Sequence, residues 1–394
     1  MMNVAASQPT LQTAAYALGD RLPRHVAQPA TVAEMAEVLA AASRARSAVA
    51  PWGAGTRQFV TNPPTRYDLA LDLRRLDRVI EYHPADLVVM VEAGISLGAL
   101  QAVLAERGQW LPWDPPAPAT ATIGGLLATA AWGPLRLGYG GPRDWLLGMQ
   151  VVLGDGRIAQ SGGRVVKNVA GYDTHKLHLG AFGTLGVIAT VTFKVAPLPE
   201  RIASVRAVFA TPAAALHAAA AIRQPPVQPV ALAITVAETV TLAVRFAGVA
   251  AAVERQLGLA TAACDRAEEV ALSVDDRELW AVPSTPDDAL VLRIGVPERM
   301  LAAAVDAVTA LAPSQLTICP GLGLMVGRWP MVAVTHLPAL RQTLAGMDGY
   351  AVVERGPAGI ERWGPPPPTI DLMRVLRQRW DPAGILNPGR WMVE

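Results

Sequence analysis

Glycines set where a chain would turn carry the chemistry of this sequence, more than histidines or cysteines set as ligands. The segment Pro51, Trp52, Gly53, Ala54, Gly55, Thr56, Arg57 places two glycines and a threonine directly after a short apolar run. Gly-x-Gly at that point lets the backbone turn with positive φ and gather several N–H groups on one concave surface. Such a nest suits a pyrophosphate, and Thr56 adds a hydroxyl donor. No third glycine opens a packed helix, so this is not the G-x-G-x-x-G dinucleotide fingerprint. For this segment alone, a tight turn that binds nothing is an equal alternative. A second segment, Thr122, Ile123, Gly124, Gly125, leads into Ala128, Thr129, Ala130 and Ala131. Residues this small fill a core poorly, but they let a flat ligand or a close-packed element lie against the backbone. A third runs from Gly138 to Asp144, where Arg143 and Asp144 follow a glycine turn. They form either a surface ion pair worth at most ~1 kcal/mol or an anchor for the loop. A fourth starts at Lys167 and Asn168, passes Gly171, Tyr172 and Asp173, and reaches Gly183, Gly186 and Val187, where unhindered amides stand next to a strand.

In this order and spacing, with the run Asp86 to Leu100 upstream, the segments resemble the flavin-binding half of the vanillyl-alcohol-oxidase-like (PCMH-type) flavoproteins. Within that superfamily they resemble the FAD-binding subunits of bacterial glycolate oxidase. The resemblance implies an α+β fold: a PCMH-type two-subdomain FAD-binding domain over residues 20–199, an α+β cap domain with an antiparallel sheet over 200–365, and a tail, 366–394, returning to the first domain. It implies FAD, held by the loop Pro51 to Arg57 and by Thr122, Ile123, Gly124, Gly125 and Ala128, with Pro116 at the lip. Gly138, Arg143 and Asp144 would lie against the cofactor. The amides at Gly183, Gly186 and Val187 would meet the isoalloxazine edge or the adenine. Lys167 is a candidate for the flavin N1–C2=O locus, although a solvated lysine is the plainer role. Asn387, with Arg390, would contact the cofactor or lock the tail. The Pro51 to Arg57 and Gly138 to Asp144 loops hold no histidine or cysteine, so the FAD is expected to be non-covalent and extractable.

Oxidising a 2-hydroxy acid needs a cation or metal for the carboxylate and a base for the hydroxyl. Catalytic subunits of the superfamily carry a His-x-Gly-Asp-Gly-Asn-x-His-like stretch and a later Glu-His-Gly, and this sequence has neither. Its histidines are His25, His83, His175, His178, His217 and His336. His175 and His178 have helical spacing but only Asp173 nearby, so no metal site is read. Arg328 and His336 fall in the second domain and are weak candidates for substrate contact; for each, a structural role is the commoner one. The resemblance therefore implies an FAD-binding subunit of a glycolate oxidase-like dehydrogenase complex, passing electrons from glycolate or D-lactate through flavin. Its partners would be a homologous larger FAD subunit and an iron–sulfur subunit, because Cys264 and Cys319 stand far apart and cannot hold a cluster. Two alternatives stay open: a self-sufficient FAD dehydrogenase of another alcohol or sugar, and a non-catalytic scaffold subunit.

These segments need elements to position them. The 394 residues suggest two or three domains, and 52% apolar against 17% charged residues describes a compact chain. A net charge of +1 favours neither nucleic acid nor an anionic membrane surface. The first twenty residues lack a basic stretch followed by an apolar core, so the expectation is cytoplasmic, with any membrane contact through partners. Thr31 to Ala42 is expected to be a helix with a Thr31/Glu34 capping box. Strands are expected at Ser47 to Trp52, Tyr67 to Leu71, Leu87 to Glu92 and Val187 to Val195. A hairpin is expected around Gly154-Asp155-Gly156. Beyond Pro199, alanine-rich helices (Pro212 to Arg223, Glu298 to Leu311) alternate with strands at Pro229 to Val236, Val240 to Phe246, Ala289 to Ile294 and Met331 to Thr335. Pro365 to Pro368 reads as a stiff connector to a helix, Ile370 to Trp380.

Overall fold

A computed structural model describes residues 11–163, 171–280 and 288–392. Its first sheet is three-stranded and parallel, with Leu69–Asp72 between His25–Ala27 and Val49–Trp52. The crossover between the outer strands is the helix Val32–Ala45. Thr31 caps it, its hydroxyl accepting from the Glu34 N–H at 3.1 Å. Glu34 in return accepts from the Ala30 N–H at 2.8 Å, one residue earlier than a standard capping box. Met35, Leu39 and Ala42 form the buried face.

The second sheet is antiparallel, in the order Val79–His83, Val88–Glu92, Val187–Lys194, Leu146–Val152, Ile158–Gly162. The expected hairpin closes at Gly156, whose φ of 88° is cheap only for glycine. Helices Leu97–Ala105 and Ile123–Ala128 cover one face. Leu97, Leu100, Leu104, Ile123 and Leu127 meet Val89, Val91, Val191 and Phe193 there, all of them fully buried. Each side chain so buried contributes roughly 1.5–3 kcal/mol. A further core joins the two sheets: Met35, Leu39, Val49 and Leu71 from one side, Val152 and Val187 from the other, and Ile385 and Leu386 from the tail.

The third sheet has eight antiparallel strands, all lying between Arg201 and Arg355. Helices Pro212–Ile222, Ala250–Ala262, Leu301–Thr309 and Leu337–Ala345 supply the other half of its core. The first lobe is thus two small sheets plus the tail; the second is one large sheet with its helices. The expected strand at Met331 to Thr335 is instead the 3-10 helix Met331–His336. The strand in this region is Leu324–Pro330, which ends where Pro330 has no N–H to give. Val332 is 75% exposed, while Met331, Ala333 and Val334 pack half-buried against the core of this lobe.

Candidate functional site

Both edges of Val49–Trp52 are occupied, by Leu69–Asp72 on one side and by the tail on the other. The Val49 N–H donates to Ile385 O at 2.8 Å, and the Asn387 N–H donates to Val49 O at 2.9 Å. The loop that follows is therefore launched from a fixed strand. Trp52 anchors it from below: its Nε1 donates to Tyr67 Oη at 2.7 Å, and its ring stands edge-on to Tyr16. At Gly53 a Cβ would lie 2.0 Å from Thr122 Oγ1, so no side chain fits there. Among the described residues, the N–H groups of Gly53, Ala54, Gly55, Thr56 and Arg57 have no hydrogen-bond partner in the protein. Five successive donors without partners therefore stand on this loop, Ala54 exposed and the other four residues half-buried, an arrangement that suits an anion. Arg390 braces the loop from the tail: its Nη1 donates to Gln58 Oε1 at 2.5 Å and its Nη2 to Gln58 O at 2.6 Å, with Thr61 as a further partner. Burial pushes this guanidinium down to about 10, with the Tyr67 hydroxyl opposing and Arg362 adding to the shift.

The facing wall is the start of helix Ile123–Ala128 and the segment before Val187–Lys194. Gly124 serves packing: its N–H donates to Ala93 O at 2.7 Å, and a Cβ would meet the Ala93 Cβ at 3.0 Å. Gly125 has only Thr122 Oγ1, at 3.2 Å, near its would-be Cβ, and so leaves its side of the helix open. Thr129 ties the walls together, accepting from Arg57 Nε at 3.0 Å and donating to Gly125 O at 2.8 Å. Asn387 Nδ2 donates to Phe182 O at 2.7 Å, while its buried Oδ1 has no partner.

Between these walls lies a cleft. It gathers Pro51, Trp52, Gly53, Ala54, Gly55, Thr56, Arg57, Thr122, Gly124, Gly125, Ala128, Gly183, Gly186, Val187 and Asn387 from the sequence-derived set. It also holds Arg390, named with Asn387 from the sequence, and adds Gln58, Thr61, Leu73, Ala93, Thr129, His178, Phe182 and Ile188. No carboxylate lines it among the described residues.

Several expected residues stand elsewhere. Ile123 is fully buried in the core beneath the wall. Pro116 is half-buried outside the cleft. Gly138 is where the lobes touch: its N–H donates to Val230 O at 3.0 Å, and a Cβ would lie 2.6 Å from Val230 Cα. Arg143 and Asp144 are exposed, and Asp144 accepts from the Gly141 N–H at 2.8 Å, capping its own short helix. Arg328 lies within the strand Leu324–Pro330 and His336 is exposed at the end of a 3-10 helix; neither borders the cleft. Lys167 lies outside the described residues. Among the described residues, no cluster of three or more His, Cys, Asp or Glu is arranged to hold a metal ion, and no helix is long and apolar enough to cross a membrane.

A wider, more open cavity continues the cleft into the seam between the lobes. It shares Trp52, Ala54, Gly55, Thr56, Gln58, Thr61 and Arg390 with the cleft and adds Arg355 and Arg362 from the second lobe, again without a carboxylate. Beside it, Glu354 joins the lobes, lying 3.7 Å from Arg57 Nη2 and 3.2 Å from Arg293 Nε. Burial lowers the affinity of Arg57 for its proton, and Glu354 works against that. Asp114 lies near the second lobe and accepts from the Leu135 N–H at 3.1 Å. Burial pushes its carboxyl up to about 7, against the pull of that N–H and of Arg245.

Residues 23–162 match the family model described as FAD binding domain. Among solved structures, alkyldihydroxyacetonephosphate synthase superposes with a TM-score of 0.72 at 18% identity, over 94% of this chain and 78% of that one. The chain has the PCMH-type FAD-binding fold. Relatives by sequence include glycolate oxidase subunit GlcE of Escherichia coli (strain K12), 37% identical over 155 residues, which is 39% of this chain and 44% of that protein. Glycolate oxidase subunit GlcD of Bacillus subtilis (strain 168) is 34% identical over 180 residues, 45% of this chain and 38% of that protein. The chain thus spans less than half the length of either subunit. An uncharacterized FAD-linked oxidoreductase of Mycobacterium tuberculosis (strain CDC 1551 / Oshkosh) is 29% identical, with 93% of this chain and 90% of that one covered. The cleft of this FAD-binding fold suits the cofactor on three counts: bare amides for a diphosphate, an unpartnered Asn387 Oδ1 for a donor, and no carboxylate to repel an anion.

Proposed function

We propose that this chain binds one FAD non-covalently in the cleft and acts as the FAD-binding subunit of a glycolate oxidase-like dehydrogenase complex. The observation that carries this reading is the run of five unpartnered amides, Gly53 to Arg57, at the cleft wall. These amides, with Thr56, hold the diphosphate. Gly125, Ala128 and Gly183 let the flat ring approach the backbone, and Asn387 accepts a hydrogen bond through Oδ1. FAD supplies the capacity to accept two electrons from a 2-hydroxy acid such as glycolate or D-lactate. Arg390 keeps the loop closed around the diphosphate from behind.

Among the described residues, no histidine or carboxylate lines the seam cavity. Among the described residues, the only histidine lining either cavity is His178, and it does not border the seam. This absence of a base supports a complex in which a homologous larger flavin subunit oxidises the acid. Cys264 and Cys319 are both buried, so an iron–sulfur centre belongs on a third chain. The complex is placed in the cytoplasm, with any membrane contact made by the partners. One observation favours a second reading: Arg355, Arg362 and Arg390 around the seam cavity match a small carboxylate. In that reading the chain oxidises the acid itself.

Purified chain is expected to be yellow, to release FAD on acid precipitation, and not to bleach with glycolate or D-lactate until the partner flavin subunit is added. Bleaching of the lone chain would establish the second reading. A colourless chain that cannot be reconstituted with FAD would overturn both.

A further inference from the structure

One stretch of the second lobe touches both walls of the cleft. It leaves the last strand of the third sheet, Tyr350–Arg355, and runs on to Trp363. The Val353 N–H donates to Arg362 O at 2.8 Å and closes its base. Arg341, on the helix Leu337–Ala345, donates to Arg362 O at 2.9 Å and to the Glu361 carboxylate at 2.7 Å, so the stretch is tied to the second lobe. Toward the loop wall, Arg362 Nη1 donates to Phe59 O at 3.1 Å, and the Arg355 guanidinium lies 4.5 Å from the centre of the Phe59 ring. The Glu354 carboxylate faces Arg57 on the same loop. Toward the facing wall, the Trp363 ring lies 5.0 Å from that of Phe182. Arg355, Gly356 and Arg362 line the seam cavity, so the stretch stands where the cleft opens into the seam.

These contacts are of a kind that can part. Phe59, Phe182 and Trp363 belong to none of the apolar cores of either lobe. The Trp363 Nε1–H is sealed from solvent without a partner, a cost of the closed arrangement that parting would relieve. Phe182 would keep its place, because Asn387 Nδ2 donates to its carbonyl and Trp391 of the tail flanks its ring at 6.1 Å. Domains joined by polar contacts of this sort commonly move against one another. We propose that residues 354–363 are a strap that must lift from Phe59 and Phe182 before FAD enters or leaves the cleft. The strap sets the rate of cofactor exchange and leaves the affinity alone, because the same contacts part and re-form whether the cleft is empty or full. The assignment rests on the reading of the cleft as an FAD site.

Association and dissociation rates of FAD on the full chain, by stopped-flow flavin fluorescence, test it together with the equilibrium affinity from calorimetry. Trp363→Leu keeps an apolar side chain but removes the ring that meets Phe182. It is expected to raise both rates by about three- to tenfold, with affinity within about twofold of wild type. Phe59→Leu, at an exposed position, removes the ring under Arg355 and keeps the carbonyl that Arg362 holds. It is expected to raise both rates by about two- to fivefold. Melting curves confirm that each variant is folded. Unchanged rates in both variants would overturn the strap. So would faster dissociation without faster association, since the lost affinity would make these residues part of the hold on FAD. A wild-type chain that takes up no FAD would overturn the FAD reading itself, and the strap with it.

Discussion

In the first lobe, Gly53 and Gly55 leave backbone amides bare beside a cleft, whereas in the second lobe Gly327 and Gly295 make room for the rings of Trp329 and Tyr350. The residue type is the same and the consequences are opposite. The first lobe divides its apolar residues among three small cores and keeps a gap between them. The second spends its apolar surface on one continuous core under an eight-stranded sheet. Among the described residues, it reaches the site at its rim, through Glu354, Arg355, Gly356 and Arg362. On the proposed reading, ligand binding and mechanical support fall to different lobes, and substitutions in each should report on only one of them.

The largest contrast is expected between Gly53→Val and Gly327→Val. In the first, the new Cβ would stand 2.0 Å from Thr122 Oγ1 and displace the loop; in the second, 2.2 Å from the buried Trp329 ring. Gly53→Val should lose more than about a hundredfold in FAD affinity with little change in melting temperature. Gly327→Val should lose roughly 1–3 kcal/mol of stability and keep its affinity for FAD. Absorbance at the flavin band and thermal melts measure the two effects. An equal loss of FAD in both variants would erase the distinction between the lobes.

A smaller effect is expected at the rim. Glu354→Gln leaves Arg57 and Arg293 without their shared counter-charge in a largely buried setting. The loss should be about 2–3 kcal/mol, since unpaired buried charge costs more than the pair contributes. Chemical denaturation with and without 0.5 M salt measures it. A change below about 0.5 kcal/mol would mean that Glu354 is not what joins the lobes.

Loops that present bare backbone leave a mark in sequence because they exclude side chains, and so the cleft-lining glycines Gly53, Gly55, Gly124, Gly125 and Gly183 can be picked out in the sequence. The same signal misled at Gly138. A missing side chain reports close approach without saying what approaches, and there it is Val230 of the second lobe. Gln58, Thr61, Thr129, Phe182 and His178 are ordinary residues in ordinary contexts, brought to the cleft only by tertiary packing. Nothing local marks them. The returning tail follows from the resemblance alone, and the structure shows Arg390 bracing the loop while Asn387 lines the cleft. In the second lobe the strand Leu324–Pro330 is hidden by Gly327 and Arg328, which break its apolar pattern, and Met331 to Thr335 reads as a strand because its branched residues imitate one, although it lies in the 3-10 helix Met331–His336.

The smallest expected effect concerns pH. The Asp114 carboxyl is raised to about 7 in the folded chain, against ~3.9 when unfolded. Between those values the folded state keeps a proton that the unfolded state has lost, so stability falls as pH rises from about 4 to about 7. Asp114→Asn removes that penalty. It should raise the melting temperature by roughly 2–4 °C at pH 8 and leave it unchanged near pH 4. A gain of the same size at both pH values would show that the charge of Asp114 is not the cause.

Hydrogen exchange of the full chain, compared with and without FAD, tests the central claim most directly, because it reads the amides themselves. Slower exchange on adding FAD is predicted in peptides covering residues 53–57 and 183–187, with peptides of the second-lobe sheet, such as 316–330, unchanged. Exchange at 53–57 that is unaffected by saturating FAD, or protection confined to the second lobe, would contradict it.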